Sequence, residues 1–141
     1  MNKNRSAGLL NAGLGLLIIL TPLVLPVCQG LLQLANGKMV PMRCHWTAQA
    51  EILLGALILA AGLTQAMMKN WDARRDLGLQ VAFLGLAVIL TPLFIISTCT
   101  DPDMACNIGT KPALLILGAI TLVSGISGRF ASGRELGVSG A

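Results

Sequence analysis

Charge is scarce in this chain. Asp, Glu, Lys and Arg together make up 11% of its 141 residues, where a soluble domain carries about 25%. Too little polar surface remains to cover a core in water, so the expected solvent is lipid. Tyrosine is absent and aromatic residues amount to 4%. Without stacking platforms, a formal net charge of +4 does not indicate a soluble nucleic-acid binder. The chain also lacks a Walker-type phosphate loop, H-E-x-x-H and G-x-S-x-G, so the common signatures of phosphate, zinc-protease and serine-hydrolase chemistry are missing. There is no C-x-x-C pair, and His45 is the one histidine. The Gly-rich end "ASGRELGVSGA" reads as a flexible tail over 131–141, not as a nucleotide loop.

Apolar length is what the chain has in abundance. Hydrophobic residues make up 55% and the mean hydropathy is +0.77. Four apolar stretches, at about Ala7–Val27, Ala48–Met68, Leu77–Ser97 and Pro112–Phe130, each approach the ~20 residues that cross hydrocarbon. Helices are expected, because isolated strands would leave backbone groups unpaired in lipid. The first stretch is too long for an ordinary signal h-region. Its "LPVC" has Val27 where a lipoprotein cleavage box wants a small residue, so it reads as a retained helix.

Lys and Arg orient these helices. Lys3, Arg5, Lys69, Arg74, Arg75, Arg129 and Arg134 fall on one side of an alternating four-helix layout, and Lys38, Arg43 and Lys111 on the other. The positive-inside rule then puts both termini and the middle connection in the cytoplasm. Cys28, Cys44, Cys99 and Cys106 face outward, where disulfides are permitted.

The chain repeats itself. Shifted by 70, "GLLNAGLGLLIILTPLVL" from Gly8 lies over "GLQVAFLGLAVILTPLFI" from Gly78, with eleven of eighteen positions identical. Shifted by 63, "AEILLGALILAAGLTQ" from Ala50 lies over "ALLILGAITLVSGISG" from Ala113, with six of sixteen identical. "MRC" at Met42–Cys44 matches "MAC" at Met104–Cys106. The reading is an all-α membrane protein of four transmembrane helices, formed as two tandem duplicated hairpins in one domain. Repeat 1 covers about 7–68 and repeat 2 about 77–131, with the pseudo-two-fold axis along the membrane normal.

Each helix carries two glycines seven apart, at Gly8/Gly15, Gly55/Gly62, Gly78/Gly85 and Gly118/Gly125. That spacing puts each pair on one helix face, where small residues let backbones approach in lipid. Pro22 and Pro92 each remove a helix hydrogen bond and are expected to kink their helices. Thr21 and Thr91 are expected to help satisfy the freed carbonyls.

The outer cysteines admit several chemistries. The simplest is one disulfide per outer loop, Cys28–Cys44 and Cys99–Cys106, although four cysteines allow three connectivities and the sequence does not choose among them. Met39, Met42, Cys44, His45, Met104 and Cys106 are soft or borderline donors that suit copper, iron, haem or zinc. Four helices with two cysteine-bearing outer loops also resemble, in gross layout, the quinone-linked disulfide-generating membrane enzymes, whose C-x-x-C pair this chain lacks.

The halves differ at Arg43, His45, Trp46 and Glu51, which face Ala105, Asn107, Ile108 and Leu114 in the second half. Glu51 lies about a turn inside a membrane helix, and ionisable groups there are functional candidates by default. Arg43, His45 and Glu51, beside Cys44, form a candidate polar site for a cation or a partner. Glu51 would otherwise reach toward water or pair with Arg43 or His45.

"MRCHWTAQAE", the duplicated "ILTPL" and "CTDPDMACNIGTKPAL" together resemble an uncharacterised family of small bacterial four-helix membrane proteins. Genes of that family often sit beside MacB/FtsX-type ABC transporter components and iron-uptake genes. The resemblance implies a multi-pass protein of the bacterial inner membrane and a non-enzymatic accessory role in a transport complex. That complex would be ABC-type and metal-related, with an ABC permease as partner. Apart from the resemblance, no cofactor is expected, with copper, iron, haem or zinc as the alternative. The competing expectations are a membrane thiol–disulfide oxidoreductase and a soft-metal or haem-binding membrane protein.

Overall fold

The structure, a computed structural model, describes residues 3–25, 30–41, 43–96, 103 and 106–136. Four helices dominate it: α1 (Lys3–Val24), α2 (Arg43–Met67), α3 (Trp71–Leu90) and α4 (Lys111–Leu136). Two short strands, β1 (Leu31–Gln33) and β2 (Met39–Pro41), form an antiparallel hairpin between α1 and α2. A π-helical turn at Thr91–Ile95 extends α3, and another at Cys106–Thr110 leads into α4.

All four helices are long and apolar enough to cross a membrane, over Arg5–Val24, Arg43–Met67, Asp72–Ile95 and Cys106–Gly128. The protein is a multi-pass membrane protein. Its outward face agrees with lipid as solvent: Leu9, Leu23, Leu53, Phe83, Phe94 and Val123 are among its exposed large side chains. The interior holds Asn11, Thr47, Glu51, Gln65, Thr91 and Thr121 beside an apolar cluster of Ile18, Ile58, Val81, Val88 and Leu114.

Each helix packs on two others, so α1 and α3 lie across one diagonal and α2 and α4 across the other. The tightest pairs are α1 on α2 and α3 on α4, and glycine explains both. A Cβ on Gly15 would stand 2.5 Å from the Leu59 backbone nitrogen, and one on Gly85 would stand 2.7 Å from that of Leu122. A Cβ on Gly55 would meet Ile19 Cγ1 at 2.8 Å, and one on Gly118 would meet Ile89 Cγ1 at 2.8 Å. Gly62 lies against Ala12 as Gly125 lies against Ala82. All eight paired glycines are buried, and they form seams within the hairpins α1/α2 and α3/α4.

The boundaries differ from expectation in informative ways. α2 begins at Arg43 and α3 at Trp71, so polar "RCHWT" and "WDARRD" are helical where apolar content alone read connections. The α2–α3 link is only Met68–Asn70. α4 runs on to Leu136, well into the stretch read as a flexible tail. The hairpin β1/β2 was not expected. Gly37 closes it at φ +75°, a left-handed conformation natural to glycine.

The prolines are handled differently in the two halves. Pro22 lies inside α1, and Leu25 N–H still bonds Thr21 O, four residues back, at 2.9 Å. Pro92 lies in the π-turn, where Ile96 N–H bonds Thr91 O, five residues back, at 2.9 Å. The hydroxyls of Thr21 and Thr91 donate to Leu17 O and Ala87 O at 2.8 Å. Those are not the carbonyls the prolines free, which belong to Ile18 and Val88, so the expected compensation is corrected. The hydroxyl reaches the carbonyl four residues before the threonine itself, one short of the orphan.

Candidate functional site

The inner face of α2 carries Cys44, Ala48, Glu51, Gly55, Ile58, Gly62 and Gln65, all buried and spaced alternately by four and three. Cys106, Thr110, Leu114, Gly118, Thr121 and Gly125 are the buried series of the facing π-turn and α4. Between Cys44 and Glu51 lie seven steps, but between Cys106 and Leu114 there are eight. The π-turn at Cys106–Thr110 absorbs the extra residue and keeps both Cys106 and Leu114 inward.

At the end of the bundle where α2 begins, the Cys44 and Cys106 sulfurs stand 3.1 Å apart across the α2–α4 diagonal. Each is 2% exposed. A cavity of about 10 Å³ lies among Cys44, Thr47, Pro92, Cys106, Thr110 and Leu114, room for about one water molecule. Thr47 Oγ1 lies 3.1 Å from Ile96 O and 3.2 Å from Arg43 O, sharing its one hydrogen between them. This ties α2 to the end of α3. Thr110 Oγ1 is buried with no hydrogen-bond partner among the described residues. So are both carboxylate oxygens of Glu51, a residue that is 0% exposed. Helical side chains lean toward the helix N-terminus, so Glu51 leans toward the thiol end of α2.

At the other end, a second polar group joins all four helices. Asn11 Nδ2 donates to Gln65 Oε1 at 2.9 Å, and Ser124 Oγ donates to Asn11 Oδ1 at 2.7 Å. Gln65 Nε2 reaches Arg74 O at 3.5 Å. Under the shifts of 70 and 63, Asn11 stands over Val81, Gln65 over Gly128 and Ser124 over Ala61. Likewise Glu51 stands over Leu114, and Thr121 over Ile58. At each of these positions one half is polar where the other is not. Of these, sequence reasoning had singled out only Glu51. The missed residues were legible in principle by comparing the halves position by position inside the helices as well as in the loops.

The structure separates the expected polar site. Glu51 and Cys44 face inward, while Arg43, His45 and Trp46 are exposed. His45 Nε2 lies 3.5 Å from Gln49 Nε2 and edge-on to Trp46, with ring centroids 6.1 Å apart. Neither Arg43 nor His45 supplies a partner to Glu51. Met39 is 62% exposed on the β-hairpin. Cys28, Met42, Cys99 and Met104 lie outside the described residues. Among the described residues no three His, Cys, Asp or Glu side chains stand together to hold a metal. Of the soft donors among the described residues, Cys44 and Cys106 meet, two of the four ligands that a zinc ion takes.

A groove runs between α1 and α4. It encloses about 640 Å³ and is lined by Ala7, Leu10, Asn11, Ile120, Ser124 and Gly128, among others. Its walls are apolar, and the small residues Ala7, Ser124, Ser127 and Gly128 keep it wide.

The chain belongs to the family described as a domain of unknown function, DUF4418, whose sequence pattern matches residues 11–130. No curated protein and no solved structure matches it.

Proposed function

We propose that this protein is a non-enzymatic accessory component of a transport complex in the bacterial inner membrane. In this reading it is built of two duplicated hairpins with both termini cytoplasmic and a disulfide-stapled outer cap. The duplication is supported by the recurrence of the same glycine contacts at shifts of 70 and 63, Gly15–Leu59 beside Gly85–Leu122 and Gly62–Ala12 beside Gly125–Ala82. The orientation is supported by seven basic residues on one side against three on the other. An ABC-type permease as partner, with a metal as the transported species, follows from the family resemblance.

The observation that carries an accessory role is the groove between α1 and α4. Its small residues let the backbone of another membrane helix approach closely, the usual basis of helix association in lipid. The test is purification from native membranes in mild detergent, with the bound proteins identified by mass spectrometry. An ABC-type permease subunit is expected with the wild type. It is expected to be lost with Ser127→Leu, which fills the groove from an exposed position, and kept with Phe83→Ala on another face. Absence of a permease, or its retention by Ser127→Leu, overturns the reading.

The juxtaposed thiols of Cys44 and Cys106 favour a second reading, a membrane thiol–disulfide oxidoreductase. It predicts a trapped mixed disulfide when either cysteine is replaced.

A further inference from the structure

The glycine seams hold helices together within each hairpin. Between the hairpins the contacts are side-chain contacts, such as Thr47 on Ile96 O and Asn11 on Ser124. Cys44 belongs to α2 of one hairpin, and Cys106 opens the π-turn that leads into α4 of the other. Their sulfurs meet at 3.1 Å on the bundle's inner diagonal.

We propose that Cys44 and Cys106 form a disulfide that ties the two hairpins together at their outer ends. The proposal rests on the stapled-cap reading and changes its connectivity, since the loop-by-loop pairing would join Cys44 to Cys28. A disulfide has an S–S distance of about 2.05 Å, so the two sulfurs need to close by about 1 Å. The extra residue absorbed at Cys106–Thr110 is what keeps Cys106 turned toward Cys44. The link spans 62 residues of chain, against 16 between Cys28 and Cys44 and 7 between Cys99 and Cys106. A longer closed loop restricts the unfolded chain more.

The bond forms by exchange with an incoming disulfide, of protein or small-thiol class, on the outer face. The Cys44 thiolate attacks one sulfur of that disulfide and releases the other as a thiol. The Cys106 thiolate then attacks the Cys44 sulfur of the mixed disulfide and releases the second thiol. One disulfide is consumed, two thiols appear, and the two cysteines lose their two protons and two electrons to them. Both sulfurs are 2% exposed, so exchange precedes closure of the bundle.

The test uses the full chain with a protease site inserted between Lys69 and Asn70, in the α2–α3 link. After cleavage, the halves are denatured in SDS without reductant. The expected result is that they stay linked, separate on reduction, and stay linked in a Cys28→Ser/Cys99→Ser variant. Wild-type halves that separate without reductant place the bonds within hairpins and overturn the proposal, while the stapled cap survives. Halves linked in the wild type but not in the double variant overturn it in favour of the other cross pairing. Four thiols all open to alkylation in the denatured, unreduced protein overturn both the proposal and the cap. Should the double variant fail to fold, mass mapping of unreduced wild-type peptides decides, because the proposal requires a peptide pair joined through Cys44 and Cys106.

Discussion

Gly15 of α1 and Gly55 of α2 lie so close that a Cβ on Gly15 would stand 2.8 Å from the Gly55 carbonyl oxygen. The obstacle is backbone and cannot swing aside. Gly15→Leu and its counterpart Gly85→Leu therefore each cost about 1–3 kcal/mol or more by overpacking, seen as a lower melting temperature in detergent. Gly13 has nothing within 4 Å of its Cβ position, and Gly13→Ala is expected to gain up to about 1 kcal/mol from helix propensity.

Asn11 and Gln65 bond inside the bundle, and Ser124 completes the chain of donors. A double-mutant cycle of Asn11→Ala and Gln65→Ala measures the link. Hydrogen bonds between membrane helices average about 0.6 kcal/mol and reach about 1.7. The upper part of that range is expected here, because Asn11 holds two partners at once. A coupling near zero would mean the amides find substitutes.

Two threonines near the Cys44–Cys106 pair should behave oppositely. Thr47→Val removes a donor from Ile96 O and should cost about 1 kcal/mol. Thr110→Val removes a hydroxyl with no hydrogen-bond partner among the described residues, and stability should hold or rise by about 1 kcal/mol. Reversible unfolding of both variants under one condition checks the contrast.

Glu51 is the interior group with most to lose by staying. Glu51→Leu copies Leu114 at the matching position and should raise stability by about 1–3 kcal/mol, the cost of burying a polar group with no hydrogen-bond partner among the described residues. Leu114→Glu should lower it similarly. A group that lowers stability and yet is present is expected to serve function. Full transport-linked activity in a folded Glu51→Ala/His45→Ala variant overturns that expectation. His45→Ala alone should leave stability unchanged, because the ring is exposed.

Much of the candidate site lay in plain letters. The glycines seven apart marked the seams, since only the smallest residue permits backbone contact, and all eight are buried. Glu51 stood out because a carboxylate within an apolar run is costly. The structure turns Glu51 inward and leaves Arg43 and His45, eight and six residues before it on α2, exposed. Asn11, Gln65 and Ser124 were passed over because single polar residues in an apolar run carry no motif. Their meaning lies in meeting one another, across 54 and 113 residues of chain.

By itself the sequence determined four spanning helices, because hydrocarbon thickness sets a length and unpaired backbone in lipid excludes other forms. Hydrophobic pattern could not say which faces turn inward, since lipid is as apolar as the core and leaves no inside–outside contrast to read. Beyond the seams that the glycines mark, the tertiary structure decided that. It brought Cys44 to Cys106 across the diagonal, turned Glu51 in and His45 out, and used a π-turn to place a residue that a regular helix would have rotated away.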